Sequence, residues 1–138
     1  MLEPDELIDR YVALWNEPDP DVRREAIREL WAEDGTQLLA PPQEISQRAI
    51  AIGFERTTLE ARGHHALEAR VARAHAEFVA PGEYRFRRAG DPAQVGDAVK
   101  FTWEMVAVAD EAPAATGLEF LVLDVRGRIR LDYQFIES

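Results

Sequence analysis

The chain contains no cysteine. A disulfide framework is therefore excluded, as is any metal or redox site built on thiolates. Lysine is almost missing too: fifteen of the sixteen basic residues are arginine. The arginines are scattered among acids, as in RREAIRE and LEARVARAH, and these runs read as solvated helix faces of mixed charge. With a formal net charge of −10, the chain lacks the cationic patch that phosphate backbones require, and its acidity disfavours anionic membranes. No apolar run approaches the roughly 20 residues that cross a bilayer. MLEPDELIDRY has no basic start followed by an apolar core, so it does not read as a secretory signal. These absences predict a soluble, cytoplasmic protein with neither a nucleic-acid nor a membrane partner. A glycine-rich phosphate loop, a Ser-His-Asp order and a nucleophile elbow are also missing. His64, His65 and His75 do not follow a metal-ligand spacing, so no metal and no cofactor is expected.

What is present suits one domain over residues 1–138. A hydrophobic fraction of 46% with three tryptophans is enough for a core that needs no metal or disulfide. In PDELIDRYVALWN, Ile8, Tyr11, Val12 and Trp15 recur at one helix face behind Pro4 and Asp5. EPDP interrupts the pattern, and Asp19 with Pro20 predicts the start of a second helix. That helix is expected to reach about Ala32, burying Val22, Ala26, Ile27, Leu30 and Trp31, with Gly35 as its stop. In LWAEDGTQLLAPPQEI, Glu33-Asp34 thus reads as the end of a helix, and TQLLA as a short strand closed by Pro41-Pro42. EISQRAIAIGF suggests a short helix, RTTLEA a strand, and HHALEARVARAHAEFV a third helix after Gly63, with Leu67, Val71, Ala74 and Phe78 on its apolar face.

Beyond Pro81-Gly82 the period changes from near 3.6 to 2. EYRFRRAG reads as a strand, DPAQVGD as a turn region, and AVKFTWEMVAVA, ATGLEFLVLDV and RIRLDYQFIE as strands, the last two joined by a tight turn at Arg126-Gly127. Helices followed by a run of strands with short connections predict an α+β domain, with helices on one face of a curved sheet. Alternation places Phe101, Trp103, Met105, Phe120, Val122, Leu131, Tyr133 and Phe135 towards the helices, and Glu104, Arg130, Asp132 and Gln134 away from them.

At this point the chain resembles the nuclear transport factor 2-like superfamily and, within it, the SnoaL-like group. The resemblance rests on the helical pair ending LWAEDGTQ, on LEARGHHALEARV with its glycine before the third helix, and on the strand pattern VKFTWEMV…TGLEFLVLDVRGRIRLDYQF. It covers nearly the whole chain, through loose motifs. It implies a cone-shaped, cystatin-like α+β fold whose curved antiparallel or mixed sheet wraps around the N-terminal helices and encloses a hydrophobic pocket. Many members are homodimers that pair through the sheet. Members include isomerases, cyclases, dehydratases, epoxide hydrolases and proteins without catalysis, so fold alone does not fix the reaction.

The candidate catalytic residues are Tyr11, Asp34 and His64. In relatives acting on ketosteroids, a tyrosine placed like Tyr11 donates a hydrogen bond to an oxyanion. The alternative is an ordinary core tyrosine. Those isomerases carry a general base on the first strand, where this chain has Gln37-Leu38-Leu39 and no carboxylate. Asp34 lies just before that segment, and its other reading is a turn residue. His64 shares a face with Leu67 and Val71 and could act as a base at the positive helix end, or simply as a cap. His75, bordering the same stripe, reads as a hydrogen-bonded core residue. Trp15, Trp31, Phe78, Phe86, Phe101, Trp103, Phe120, Tyr133 and Phe135 form an aromatic set suited to lining a pocket for a flat, polycyclic or terpenoid-like molecule, with a plain hydrophobic core as the alternative. Glu104, Glu119, Arg130 and Asp132 read either as holding an acid dyad or as cross-strand pairs on the outer sheet face. Alternation favours the outer face for all but Glu119, whose side it leaves open. The sequence thus points to a binder of a small apolar molecule, a SnoaL-like cyclase or isomerase working by acid/base chemistry, or else a non-catalytic binding or interaction module of the same fold.

Overall fold

The structure, a computed structural model, describes residues 2–40 and 59–137. The expected helix in EISQRAIAIGF and the Pro41-Pro42 stop lie outside these residues. Helix α1 (Pro4–Asn16) opens on a proline and two acids, which suit the positive end of the helix. It buries Leu7, Ile8, Tyr11, Leu14 and Trp15, a single face at helical spacing. Helix α2 (Pro20–Leu30) is capped by Asp19, whose side chain accepts from the Asp21 amide at 2.8 Å. Helix α3 (His64–Ala74) follows Gly63, which adopts φ +86°, and continues into one π turn at His75–Val79.

Six strands follow the order β2-β1-β6-β5-β4-β3. They are β1 (Trp31–Ala40), β2 (Leu59–Arg62), β3 (Tyr84–Val95), β4 (Ala98–Ala107), β5 (Pro113–Leu123) and β6 (Ile129–Ile136). The β1–β6 pair is parallel and every other pair is antiparallel, so the fold is α+β with a mixed, open sheet. The helices pack on one face. Among the described residues no helix is long and apolar enough to cross a membrane.

Two boundaries differ from the sequence expectation. Helix α2 stops at Leu30, and the chain passes directly into β1 at Trp31. Glu33, Asp34 and Gly35 are therefore not a helix end. They lie in a bulge, where β1 advances from Trp31 to Thr36 while β6 advances only from Ile129 to Leu131. Gly35 serves a close approach there: a Cβ on it would stand 2.8 Å from the Ile129 carbonyl oxygen. Strand β3 also runs on to Val95, through a bulge between Ala89 and Ala93, in place of the expected turn region.

The sheet faces require a larger correction. On β4 the inward set is as expected, with Val99, Phe101 and Trp103 buried. On β5 the inward residues are Gly117, Glu119, Leu121 and Leu123, and on β6 they are Ile129, Asp132 and Gln134. Phe120, Val122, Leu131, Tyr133 and Phe135 point away from the helices. Two local features set this phase. Gly117 pairs with Trp103, and a Cβ on it would stand 2.1 Å from the indole ring, so only glycine can lie under that ring on the inner face. In the β5–β6 ladder, Leu123 pairs with Ile129 but Val122 pairs with Leu131. The extra residue, Arg130, reverses the alternation from there on.

Candidate functional site

The inner face of the sheet, α1 and α3 enclose a cavity of about 370 Å³. Its walls are apolar: Val12 and Trp15 from α1, Ala74 from α3 and Phe78 beyond it, Phe86 from β3, and Trp103 and Met105 from β4. Its polar lining consists of Tyr11, Arg70 and Gln134, together with the Trp103 indole N–H.

Behind these groups lies a buried network. The Tyr11 hydroxyl donates to Asp132 Oδ2 at 2.5 Å, and Gln37 Nε2 donates to the same oxygen at 3.1 Å. Glu119 Oε1 accepts from Trp103 Nε1 at 2.9 Å and from Gln134 Nε2 at 2.5 Å. Arg70 Nη2 donates to Gln134 Oε1 at 3.1 Å, which fixes the orientation of that amide. Glu119 and Asp132 are diagonal neighbours on one sheet face, since Asp132 pairs with Leu121 and Glu119 with Gln134. Both are fully buried.

Their second oxygens, Glu119 Oε2 and Asp132 Oδ1, have no ordinary donor. Two buried carboxylates side by side would repel strongly, and a single proton between them resolves both problems. Burial, and next the charge of Asp132, hold the Glu119 carboxyl well above the usual carboxylate range. Burial also raises Asp132, but hydrogen bonds from Glu119, Tyr11 and Gln37, and the charge of Arg70, oppose the rise. Both carboxyls are raised, Glu119 well above its ordinary range and Asp132 against more opposing hydrogen bonds. Burial first, then Asp132, raises Tyr11 well above the ordinary phenol value, so it remains a neutral donor.

Of the residues proposed from sequence, Tyr11, Trp15, Phe78 and Trp103 meet at the cavity, with Phe86. Trp31 and Phe101 are buried behind it, their ring centroids 6.3 and 5.3 Å from that of Tyr11. Phe120, Tyr133 and Phe135 are on the opposite face of the sheet, displaced by the Arg130 bulge and the Gly117 phase. Asp34 is exposed, and His64 Nε2 is 3.0 Å from the Trp31 carbonyl oxygen. These two share a shallow surface depression with Arg28, Asp124, Arg126 and Arg128, and neither lines the cavity. Among the described residues no three of His, Asp and Glu gather as a metal site would require.

Sequence reasoning missed Gln37, Arg70 and the inward placement of Glu119, Asp132 and Gln134. One signal was available: Glu119 is a lone acid inside GLEFLVL, and a charge within a buried strand needs a partner. The carboxylate missing from β1 is also accounted for. Gln37 stands where it was sought, and its parallel register partner on β6 is Asp132.

No protein-family model and no curated protein matches this sequence. Solved structures do. A SnoaL-like family protein from Agrobacterium tumefaciens, provisionally named an isomerase, is 24% identical, with a TM-score of 0.74 over 96% of each chain. A SnoaL-like protein of unknown function from Burkholderia thailandensis is 16% identical, with a TM-score of 0.64 over 98% of this chain and 95% of that one. A protein from Sinorhizobium meliloti, provisionally named a polyketide cyclase, is 12% identical, with a TM-score of 0.59 over 96% of this chain and 99% of that one. With its helices packed on one face of a mixed six-stranded sheet, and a likeness spanning nearly the full length of both chains, the protein has the nuclear transport factor 2-like fold that these SnoaL-like proteins share.

Proposed function

We propose that the protein binds a small, mainly apolar molecule in the cavity and catalyses proton transfer on it, as a cyclase or isomerase of polycyclic or terpenoid-like substrates would. The observation that carries this reading is the buried Glu119–Asp132 pair, each with one unpartnered carboxyl oxygen, directly behind the Tyr11 hydroxyl. A plain binding pocket has no use for two buried carboxyls, whose desolvation is costly. Perturbed groups converging on a cavity are the mark of acid/base chemistry.

The relay is short. Tyr11 turns its hydroxyl from Asp132 to an oxygen of the ligand and gives its proton there, Glu119 passes its proton to the Asp132 carboxylate, and Asp132, once protonated, gives a proton to the Tyr11 oxygen. The ligand gains one proton, Glu119 becomes the carboxylate, and tyrosinate never has to persist. The reverse sequence returns the proton when the product forms. Asp34 and His64 have no part in this reading, because neither lines the cavity. Non-catalytic binding is the second reading, favoured by the apolar character of most of the wall.

Dimerisation belongs to the same proposal. The outer face of β5 and β6 carries Phe120 and Phe135, whose rings meet edge to face with centroids 6.0 Å apart, and Phe135 is 41% exposed. A second copy of the sheet would cover this apolar surface.

The test starts from ligand retained by the purified protein in native mass spectrometry. The ligand is then incubated with protein in deuterated water. Wild-type protein is expected to introduce deuterium, and Tyr11→Phe and Asp132→Asn to bind the ligand without doing so. If no label enters, or if Asp132→Asn labels it at the wild-type rate, proton transfer is refuted and binding alone remains.

A further inference from the structure

Arg70 is the one residue lining the cavity that is charged at neutral pH. It lies on α3 between the buried Leu67 and Ala74, one turn from each, so its stem follows the apolar stripe. Its guanidinium carbon is 5.1 Å from the centroid of the Trp15 ring, and Nη2 bonds the neutral Gln134. Five of the described arginines, Arg10, Arg24, Arg85, Arg87 and Arg88, form ion pairs. Among the described residues Arg70 forms none. A guanidinium has five N–H donors, and here one is used within the described network. The charge of Arg70 also acts on Asp132, lowering it, without a direct ion pair among the described residues.

A cation placed against an apolar wall is costly unless something compensates it. Stacking on Trp15 offsets part of that cost. The rest is available to a ligand. An anionic oxygen entering the cavity would meet a planar fork that matches a carboxylate, in surroundings dry enough to strengthen the pair.

We infer that the molecule held by the cavity is an apolar carboxylate: its anionic group binds Arg70, and its flat hydrophobic body lies among Trp15, Phe78, Phe86 and Met105. This rests on the cavity being a ligand site and adds the chemical class of the ligand. It also assigns two ends to the cavity. Arg70 anchors the charge, and Tyr11 is left to act elsewhere on the molecule.

The probes are 2-naphthoate and 2-naphthamide, close in shape and different in charge. Binding is followed by calorimetry and by quenching of the tryptophans, two of which, Trp15 and Trp103, line the cavity. The acid is expected to bind at least about tenfold tighter than the amide, the worth of one charge-assisted hydrogen bond. Arg70→Gln removes the preference, and Arg70→Lys restores part of it. Raising the salt concentration on wild-type protein should narrow the gap without closing it, because Arg70 is partly buried. This salt test stands even if a variant folds poorly. Equal affinity of acid and amide, a ratio unchanged in Arg70→Gln, or a gap that salt erases would overturn the inference while leaving the cavity a ligand site. Binding of neither probe would remove the ligand reading together with the inference.

Discussion

Replacing Glu119 by glutamine should make the protein more stable and less active at once. Glu119 is completely buried, and burial holds its carboxyl well above the 4.5 of an ordinary glutamate. In the unfolded chain at pH 7 the same group is ionised. Between 4.5 and the raised value folding must therefore bind a proton, at a cost that grows by at most about 1.4 kcal/mol per pH unit. A folded-state pKa raised above the unfolded value makes the native state bind the extra proton. Stability is thus full below the ordinary glutamate value and falls as pH rises towards the raised one. Glutamine is neutral at every pH and nearly the same shape. Its oxygen can accept from Trp103 and Gln134, and its amide can donate to Asp132 Oδ1. The stability advantage of Glu119→Gln over wild type should consequently be smallest near pH 4.5 and grow as pH rises above it, by at most about 1.4 kcal/mol per pH unit. Urea unfolding of both proteins across that range measures it directly. A difference independent of pH, or a variant less stable at every pH, would refute the assignment of the proton to Glu119. The same change removes the last donor of the relay, so deuterium transfer to a bound ligand should fall sharply in the more stable protein.

The other expectations are simpler. Tyr11→Phe leaves Asp132 buried with one donor fewer and should cost about 1–3 kcal/mol of stability in addition to the relay, which thermal melts would show. Gly117→Ala forces a methyl into the Trp103 ring and should destabilise by about 1–3 kcal/mol or more. If its melting temperature matched wild type, the inward placement of Trp103 would be wrong. Phe135→Glu puts a charge on the outer sheet face and should convert a dimer to a monomer in light scattering, while leaving the cavity intact. A wild-type monomer would refute the dimer directly.

The α+β class, three helices and most strands were legible in the sequence, because a helix face and a strand face have different periods. Ile8, Tyr11 and Trp15 repeat at helical spacing, and Val99, Phe101 and Trp103 alternate on a strand. The site was only half legible. In GLEFLVLDV both faces of the strand are apolar, so alternation could not choose between Phe120 and Glu119. The choice is made by Gly117, whose missing side chain leaves room for an indole contributed by another strand. On β6 one additional residue reversed every side chain after it, and a bulge of that kind depends on how two strands pair, which a single strand does not reveal. The helix stop at Gly35 failed for a related reason: glycine serves close backbone contacts as readily as it serves helix ends.

The parallel pairing of β1 with β6 also governs when the site can come into being. Gln37 and Asp132 lie side by side in the sheet but 95 residues apart in sequence. Neighbouring pairs such as β3–β4 and β4–β5 close short loops and can form early. The β1–β6 contact closes nearly the whole described chain, and its entropy cost delays it. Until it forms, Asp132 lacks the Gln37 donor. If the proposed proton transfer needs Gln37 beside Asp132, it cannot work before this long-range contact closes, and any measured activity would also report completed folding.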